Sequence, residues 1–169
     1  GILHEYLSLK SEETKNIITG NIEGNYFINF GTHGCRSQDP NKYLNDAILL
    51  ENSCNDHSLN NTLKNRYTFY CANSYYDAGN YERALIHYKK VIDATNWDQE
   101  KFYSCMRIGN IYMNNNNYNC ALEFWTKSFT YDSERIETIV LLMKHFYNKS
   151  NHFMVNTFFH KFLHIMSIT

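Results

Sequence analysis

Residues 70–92 read YCANSYYDAGNYERALIHYKKVI, and residues 107–129 read RIGNIYMNNNNYNCALEFWTKSF. When the first stretch is shifted by 37 residues, small and aromatic residues fall at the same positions in both. The matched pairs are Ala72 with Gly109, Tyr75 with Tyr112, Tyr81 with Tyr118, Ala84 with Ala121, and Tyr88 with Trp125. Small residues let paired helices approach closely, and aromatic rings fill the space around them. The pattern therefore predicts two consecutive helical hairpins of one design.

A weaker third copy follows after a further 35 residues, with Tyr147, Phe153 and His160 at the aromatic positions. A period in the middle thirties is one helical hairpin per repeat, close to the tetratricopeptide unit. The predicted fold class is therefore all-α, a tetratricopeptide-like right-handed solenoid of helical hairpins. Its repeats cover about residues 62–95, 98–131 and 133–166. The third unit is either an atypical terminal repeat, as solenoids commonly have, or a different helix pair.

Local signals set the limits of the predicted helices. Turn sequences lie between them at residues 77–80, 114–117 and 149–151. The residues predicted to cap helices are Asp39, with Pro40 as the first helical residue, Asp98 and Ser133. The helix that begins at Asp39 runs to about Ser53, which brings the predicted number to seven.

The chain divides at about residue 37. Residues 38–169 form the predicted helical repeat domain. Residues 1–37 differ, because short extended-looking runs at residues 2–9 and 26–30 are separated by polar, glycine-containing sequence. We interpret them as the tail and linker of a preceding domain, with a small β-like appendage. The chain also begins and stops within apolar runs, so we expect a piece of a longer protein.

Composition excludes several classes of partner. The 16 basic and 17 acidic residues nearly cancel, so no electrostatic footprint for nucleic acid is present. No apolar run approaches the roughly 20 residues of a membrane span. The five cysteines are scattered without a C-x-x-C pair, which favours a reducing, cytoplasmic compartment. Abundant Asn, Tyr, Lys and Ile indicate an AT-rich genome, such as that of a protist or a large virus.

Several stretches resemble the C-terminal region of family 2 glycosyltransferases, in which a GT-A catalytic domain precedes tetratricopeptide-like helices. The resemblance covers residues 1 to about 163. The stretches that carry it are RYTFYCANSYYDAG at 66–79, NWDQEKFY at 96–103, RIG at 107–109, SERIE at 133–137, HEYL at 4–7, GCRS at 34–37 and YLND at 43–46.

The resemblance implies that the parent protein is a nucleotide-sugar glycosyltransferase, with Mn²⁺ or Mg²⁺ held by an Asp-x-Asp motif. This chain contains no Asp-x-Asp motif. We therefore expect the fragment alone to be non-catalytic and to need no cofactor. Its expected role is self-association as a homodimer, or positioning of a polypeptide or glycan acceptor. The alternative is a free-standing tetratricopeptide adaptor that binds a peptide segment of a partner protein.

The resemblance also marks three candidate residues near the start of the chain. His4 and Glu5 match a motif at the edge of the GT-A active site, where a neutral imidazole suits a metal and a diphosphate. The alternative is a strand histidine without a ligand. Arg36 could reach the substrate diphosphate through its planar guanidinium, or it could be an ordinary solvated loop arginine.

The repeats themselves predict a groove for a peptide or partner. The first helices of stacked hairpins usually line the concave surface of a solenoid. The predicted lining residues are Asn73, Tyr76, Arg107 and Asn110. We expect Tyr75, Tyr88, Tyr112 and Trp125 to belong to the core instead. No metal site is predicted, because His160 and His164 lack a convincing third ligand and are expected to be surface residues.

Overall fold

The computed structural model describes residues 38–56 and 58–168, together with Gly24. Over these residues it contains seven α-helices and no strand, which confirms the all-helical prediction and the number of helices. None of these helices combines the length and the apolar character needed to cross a bilayer. The helices are α1 (Lys42–Cys54), α2 (Asn61–Asp77), α3 (Tyr81–Ala94), α4 (Asp98–Asn114), α5 (Tyr118–Ser128), α6 (Glu137–Asn148) and α7 (His152–Ile168). The β-like appendage predicted within residues 1–37 lies outside the described residues.

The helices pack in chain order, because each one contacts the next from α1 to α7. One apolar core joins the first four helices. It includes the fully buried side chains of Leu50, Cys71, Tyr75, Tyr88 and Ile108. Full burial of a large apolar side chain stabilises a fold by about 1.5–3 kcal/mol, so this core is the main source of stability for α1–α4.

The three predicted turns are confirmed, and each contains a residue with a left-handed backbone. Gly79 has a φ of 77°, Asn116 a φ of 59° and Ser150 a φ of 54°. Glycine and asparagine tolerate this conformation better than most residues, whereas for serine it is unusual. In the first two hairpins, asparagine then caps the second helix: Asn80 accepts from Arg83 N at 3.2 Å, and Asn117 accepts from Cys120 N at 3.4 Å.

The predicted helix starts were wrong by one to three residues. Asp39 accepts a hydrogen bond from Asn41 N at 2.8 Å, which closes a short turn before α1 begins at Lys42. Asp98 is the first residue of α4 rather than its cap. Ser133 lies in a turn where Asp132 accepts from Glu134 N at 3.1 Å, and α6 begins only at Glu137. In two of the three cases, a neighbouring aspartate closed a local turn instead of capping the helix.

The predicted core aromatics are buried, with one partial exception. Tyr75, Tyr88 and Trp125 are 1%, 0% and 3% exposed. Tyr112 is half-buried, and its ring stacks on Phe124 with the centroids 5.8 Å apart. The small residues predicted at helix contacts are buried as well, since Ala72, Ala84 and Ala121 expose no surface.

Gly109 marks a close contact between α4 and α5. A Cβ atom added there would overlap the Trp125 indole, lying 2.5 Å from Nε1 and 3.0 Å from Cγ. The indole is anchored, because Nε1 donates to Met106 O at 3.3 Å and to Asn110 Oδ1 at 3.1 Å. The missing side chain of Gly109 is therefore what lets α4 and α5 approach at this point.

We expect Gly109→Ala to destabilise the protein by about 1–3 kcal/mol, because the added methyl displaces an anchored ring. This cost exceeds the ~1 kcal/mol that alanine gains over glycine in a helix. Urea denaturation measures the difference, with Lys89→Ala, at an exposed position on α3, as the control. Equal or greater stability of Gly109→Ala would contradict the close contact.

Candidate functional site

The three candidates near the start of the chain, His4, Glu5 and Arg36, lie outside the described residues. Their assignment to a GT-A active site or to a diphosphate stays a prediction. The described residues instead offer several concave surfaces and one partly buried polar cluster.

The larger concave surface, the main groove, lies along α1, α2 and α4 and has a volume of about 600 Å³. Aromatic side chains dominate its lining, and charges of both signs are interspersed among them. The lining residues are Lys42, Tyr43, Asp46, Phe69, Tyr70, Asn73, Ser74, Asp77, Trp97, Gln99, Glu100, Tyr103, Arg107 and Arg135.

Trp97 is the most accessible large aromatic residue of the main groove, with 53% of its surface exposed. It lies in the segment between α3 and α4, and the guanidinium of Arg66 lies 5.9 Å from its ring. Deeper in the groove, Phe69 of α2 meets Tyr103 of α4 edge to face, with the centroids 6.0 Å apart. This part of the wall is thus formed by rings from α2 and α4.

Arg107 lines the main groove from α4. Its guanidinium lies 4.1 Å from the ring of Tyr76 and 5.2 Å from the ring of Tyr103. It also donates to the Tyr103 hydroxyl at 3.0 Å and lies 3.9 Å from the carboxylate of Asp77. These contacts make Arg107 a structural link between α2 and α4, although its buried Nε has no hydrogen-bond partner among the described residues.

Another concave surface, the small recess, is lined by residues of α2, α4, α5 and α6 and has a volume of about 310 Å³. Amide and other hydrogen-bonding side chains surround an apolar floor. The lining residues are Tyr76, Asn110, Met113, Asn114, Trp125, Leu141, Lys144, His145 and Asn148. The four predicted groove residues are therefore divided: Asn73 and Arg107 line the main groove, whereas Tyr76 and Asn110 line the recess.

Glu100 is a buried carboxyl group at the edge of the main groove, only 4% exposed. Its Oε2 accepts a hydrogen bond from the hydroxyl of Thr95 at 3.2 Å. Burial raises the pKa of Glu100 above its usual value, although this hydrogen bond opposes the shift. Sequence patterns did not single it out, because an acidic residue in the first turn of a helix normally faces solvent.

The third feature is a polar cluster that links α1, α2 and α3 around Glu51. The carboxylate of Glu51 accepts from the Tyr75 hydroxyl at 2.5 Å and from Arg83 Nη1 at 2.6 Å. Its other oxygen lies 3.2 Å from His87 Nε2, and the His87 ring stacks on Tyr75 with the centroids 5.6 Å apart. Sequence reasoning missed this cluster, because its members come from three helices and share no periodic signal.

The electrostatics of this cluster favour a charged glutamate and a neutral histidine. Burial disfavours the carboxylate, but the hydrogen bonds from Tyr75 and His87 and the charge of Arg83 outweigh it, so the pKa of Glu51 is lowered. Burial lowers the pKa of His87, although its contact with Glu51 opposes the shift.

A glutamate beside a histidine and a tyrosine invites comparison with acid–base catalysts. However, His87 is only 4% exposed, and its buried Nδ1 has no hydrogen-bond partner. None of the cluster residues lines the main groove or the small recess. A catalytic base must reach its substrate, so the geometry favours a structural role in joining three helices.

Among the described residues, no group of three or more His, Cys, Asp or Glu side chains is arranged to hold a metal ion. His160 and His164 are exposed on α7, as expected for surface residues. Four of the cysteines, Cys54, Cys71, Cys105 and Cys120, are free thiols.

Comparisons with protein-family models, with curated proteins and with solved structures found no match to this chain.

We expect Glu51→Gln to cost about 1–3 kcal/mol at pH 7, because glutamine loses the charge that strengthens three hydrogen bonds. The folded pKa of Glu51 lies below the unfolded value near 4.5. Its contribution is therefore complete above that value and disappears as the pH falls through the folded pKa.

Urea denaturation at several pH values measures this effect. The difference between the parent protein and Glu51→Gln should shrink from pH 7 to pH 3, since a protonated Glu51 resembles glutamine. Glu123→Gln, at an exposed position on α5, is the control and should change stability little at any pH. An equal difference at pH 7 and pH 3 would contradict a charge-assisted cluster.

Proposed function

We propose that residues 38–169 are a tetratricopeptide-like repeat domain that holds an extended polypeptide in the main groove. The packing of each helix against the next, from α1 to α7, supports an open stack of hairpins. The spacing of the small and aromatic residues gives the stack its repeat. In this reading the domain is non-catalytic and acts by positioning another chain.

The observation that carries this proposal is the lining of the main groove. Most of the surface of this groove is apolar, and polar groups are scattered across it. The apolar part includes the exposed Trp97 and the half-buried Phe69 and Tyr103, with charged side chains among them. Extended peptides present the same mixture of apolar side chains and polar main chain. Aromatic residues are the usual anchors of such interfaces, since they bury a large area with few frozen torsions.

The resemblance to family 2 glycosyltransferases gives the bound polypeptide an identity, namely the acceptor of a sugar. A metal ion and a nucleotide sugar would then belong to the preceding catalytic domain of the parent protein. The sequence of the gene upstream of Gly1 distinguishes a free-standing adaptor from a transferase. An Asp-x-Asp motif within a couple of hundred residues upstream of Gly1 in the gene would favour the transferase, and its absence would favour the adaptor.

We expect Trp97→Ala to weaken peptide binding by at least about tenfold, because it removes the accessible anchor of the main groove. The probe is the tightest ligand selected from a library of random 12-residue peptides, labelled for fluorescence anisotropy. Trp97 is also a built-in reporter. It is 53% exposed whereas Trp125 is 3% exposed, so binding should shift the tryptophan emission to shorter wavelength.

Ile86→Ala is the matched control. Ile86 is 54% exposed and lies on α3, and it does not line the main groove, so its loss should leave peptide affinity unchanged. Equal affinities of Trp97→Ala and Ile86→Ala would contradict binding in the main groove. A library that yields no ligand would contradict peptide binding altogether.

A second candidate function, self-association, is favoured by the surface of α7. Phe159, Leu163 and Met166 are 42%, 47% and 52% exposed, and their i, i+4, i+7 spacing places them in one stripe. A contiguous exposed apolar stripe is a common feature of protein interfaces. In this second candidate, two copies associate through α7 as a homodimer.

We expect light scattering to show an average mass that rises with protein concentration toward twice 20.1 kDa. Leu163→Glu should abolish the rise, because it places a charge in the stripe. Lys161→Glu adds the same carboxylate about 160° away from Leu163 around the helix and should leave association intact. A monomer mass at every concentration would remove this candidate.

A further inference from the structure

A further concave surface, the side cavity, opens where the start of α2 meets the segment between α3 and α4. Its volume is about 350 Å³. It is bounded by Thr62 and Arg66 of α2, by residues 95–97, and by Glu100 of α4. Trp97 and Glu100 also line the main groove, so the two concave surfaces share a wall. A space of this size suits a small molecule rather than a folded partner.

Glu100 supplies the side cavity with a carboxylate whose bonding capacity is only partly used. The residue is 4% exposed, and its Oε2 accepts from the Thr95 hydroxyl at 3.2 Å. Thr95 Oγ1 in turn accepts from Trp97 N at 3.2 Å, so this carboxylate oxygen helps to hold the segment before α4. Within the described part of the chain, Oε1 accepts no hydrogen bond. A buried charge without a close partner is costly, so this oxygen favours a ligand that carries a cation.

Arg66 supplies the opposite charge, and it also has bonding capacity to spare. Its guanidinium lies 5.5 Å from the ring of Tyr70 and 5.9 Å from the ring of Trp97, and Nη2 donates to the Tyr70 hydroxyl at 3.1 Å. A guanidinium carries five N–H donors. Among the described residues, the bond to Tyr70 is the one hydrogen bond that these donors make. The rings position the group and leave donors for a carboxylate, which arginine binds at two points.

The two charges line one cavity without pairing to each other. Arg66 acts on Glu100 through its charge at longer range, and no ion pair joins the two side chains. A ligand with a single charge would satisfy one of them and meet a like charge at the other. A ligand with both an ammonium and a carboxylate group satisfies both and brings no net charge into the cavity. The indole of Trp97, 53% exposed, offers an apolar wall for the rest of such a ligand.

We propose that the side cavity binds a small zwitterion of the size of an amino acid, with its ammonium group on Glu100 and its carboxylate on Arg66. The remainder of the ligand lies against the indole of Trp97. Free amino acids are the chemical class that combines these two charges in a molecule small enough for the cavity. The inference does not depend on peptide binding, since Arg66 does not line the main groove.

Isothermal titration calorimetry of the full chain with each of the twenty free L-amino acids tests the site. We expect at least one of them to bind with a Kd below about 1 mM, because two charge-assisted contacts form. Two derivatives of the best ligand then separate the charges. Its N-acetyl derivative lacks the ammonium group, and its carboxamide lacks the carboxylate. We expect each derivative to bind at least about tenfold more weakly than the amino acid.

Glu100→Gln and Arg66→Gln assign each ligand group to its residue. Glutamine at position 100 keeps an oxygen for Thr95 but has no charge. This variant should bind the amino acid about tenfold more weakly and no longer distinguish it from the N-acetyl derivative, while it still rejects the carboxamide. Arg66→Gln should show the reverse pattern, whereas a merely structural defect would weaken all three ligands alike. Glu123→Gln and Lys89→Gln, at exposed positions on α5 and α3, are the matched controls and should leave all three affinities unchanged.

Each outcome supports or overturns the site. The crossed pattern of the two variants supports it. If no amino acid binds at concentrations up to about 10 mM, the site is overturned, whether or not a peptide binds in the main groove. If either derivative binds the parent protein as well as the amino acid does, one charge is not read, and the zwitterion is overturned without recourse to any variant. If Glu100→Gln and Arg66→Gln behave like the controls, or weaken all three ligands alike, the assignment to these two residues is overturned.

Discussion

The contact between Gly109 and Trp125 is the constraint on which the second hairpin depends. Because Gly109 carries no Cβ, the indole can lie directly against α4, where a methyl group would overlap it. At that position Nε1 bonds both to the backbone oxygen of Met106 and to the side chain of Asn110. The spacing of two helices and the orientation of a surface amide are thus set by one ring.

The first hairpin reaches the same arrangement with different residues. Tyr88 stands in place of Trp125, and its hydroxyl holds Asn73 in the way that the indole holds Asn110. Both rings fill the core, and both carry a polar tip that reaches a first helix. A phenylalanine would fill the same volume but leave the amide free to turn. The repeat therefore preserves a donor at this position as well as an aromatic ring.

The features that could be predicted from the sequence are those that depend on local chemistry and on the spacing of residues. The seven described helices, the turn at Gly79 and the burial of Tyr75 follow from patterns within short windows, and the structure confirms them. Predicted caps failed where a nearby aspartate closed a turn first, as Asp132 does before α6. The Glu51 cluster was not predictable, because it depends on how three helices face one another.

The third unit shows why the pair of oriented amides ends after two hairpins. The 35-residue interval brings His145 to the position of Asn110 and His160 to the position of Trp125. His160 is exposed and cannot hold a neighbour from the core, while His145 lies 5.7 Å from the ring of Tyr118. Without a buried donor on its second helix, the unit has nothing to orient a surface group.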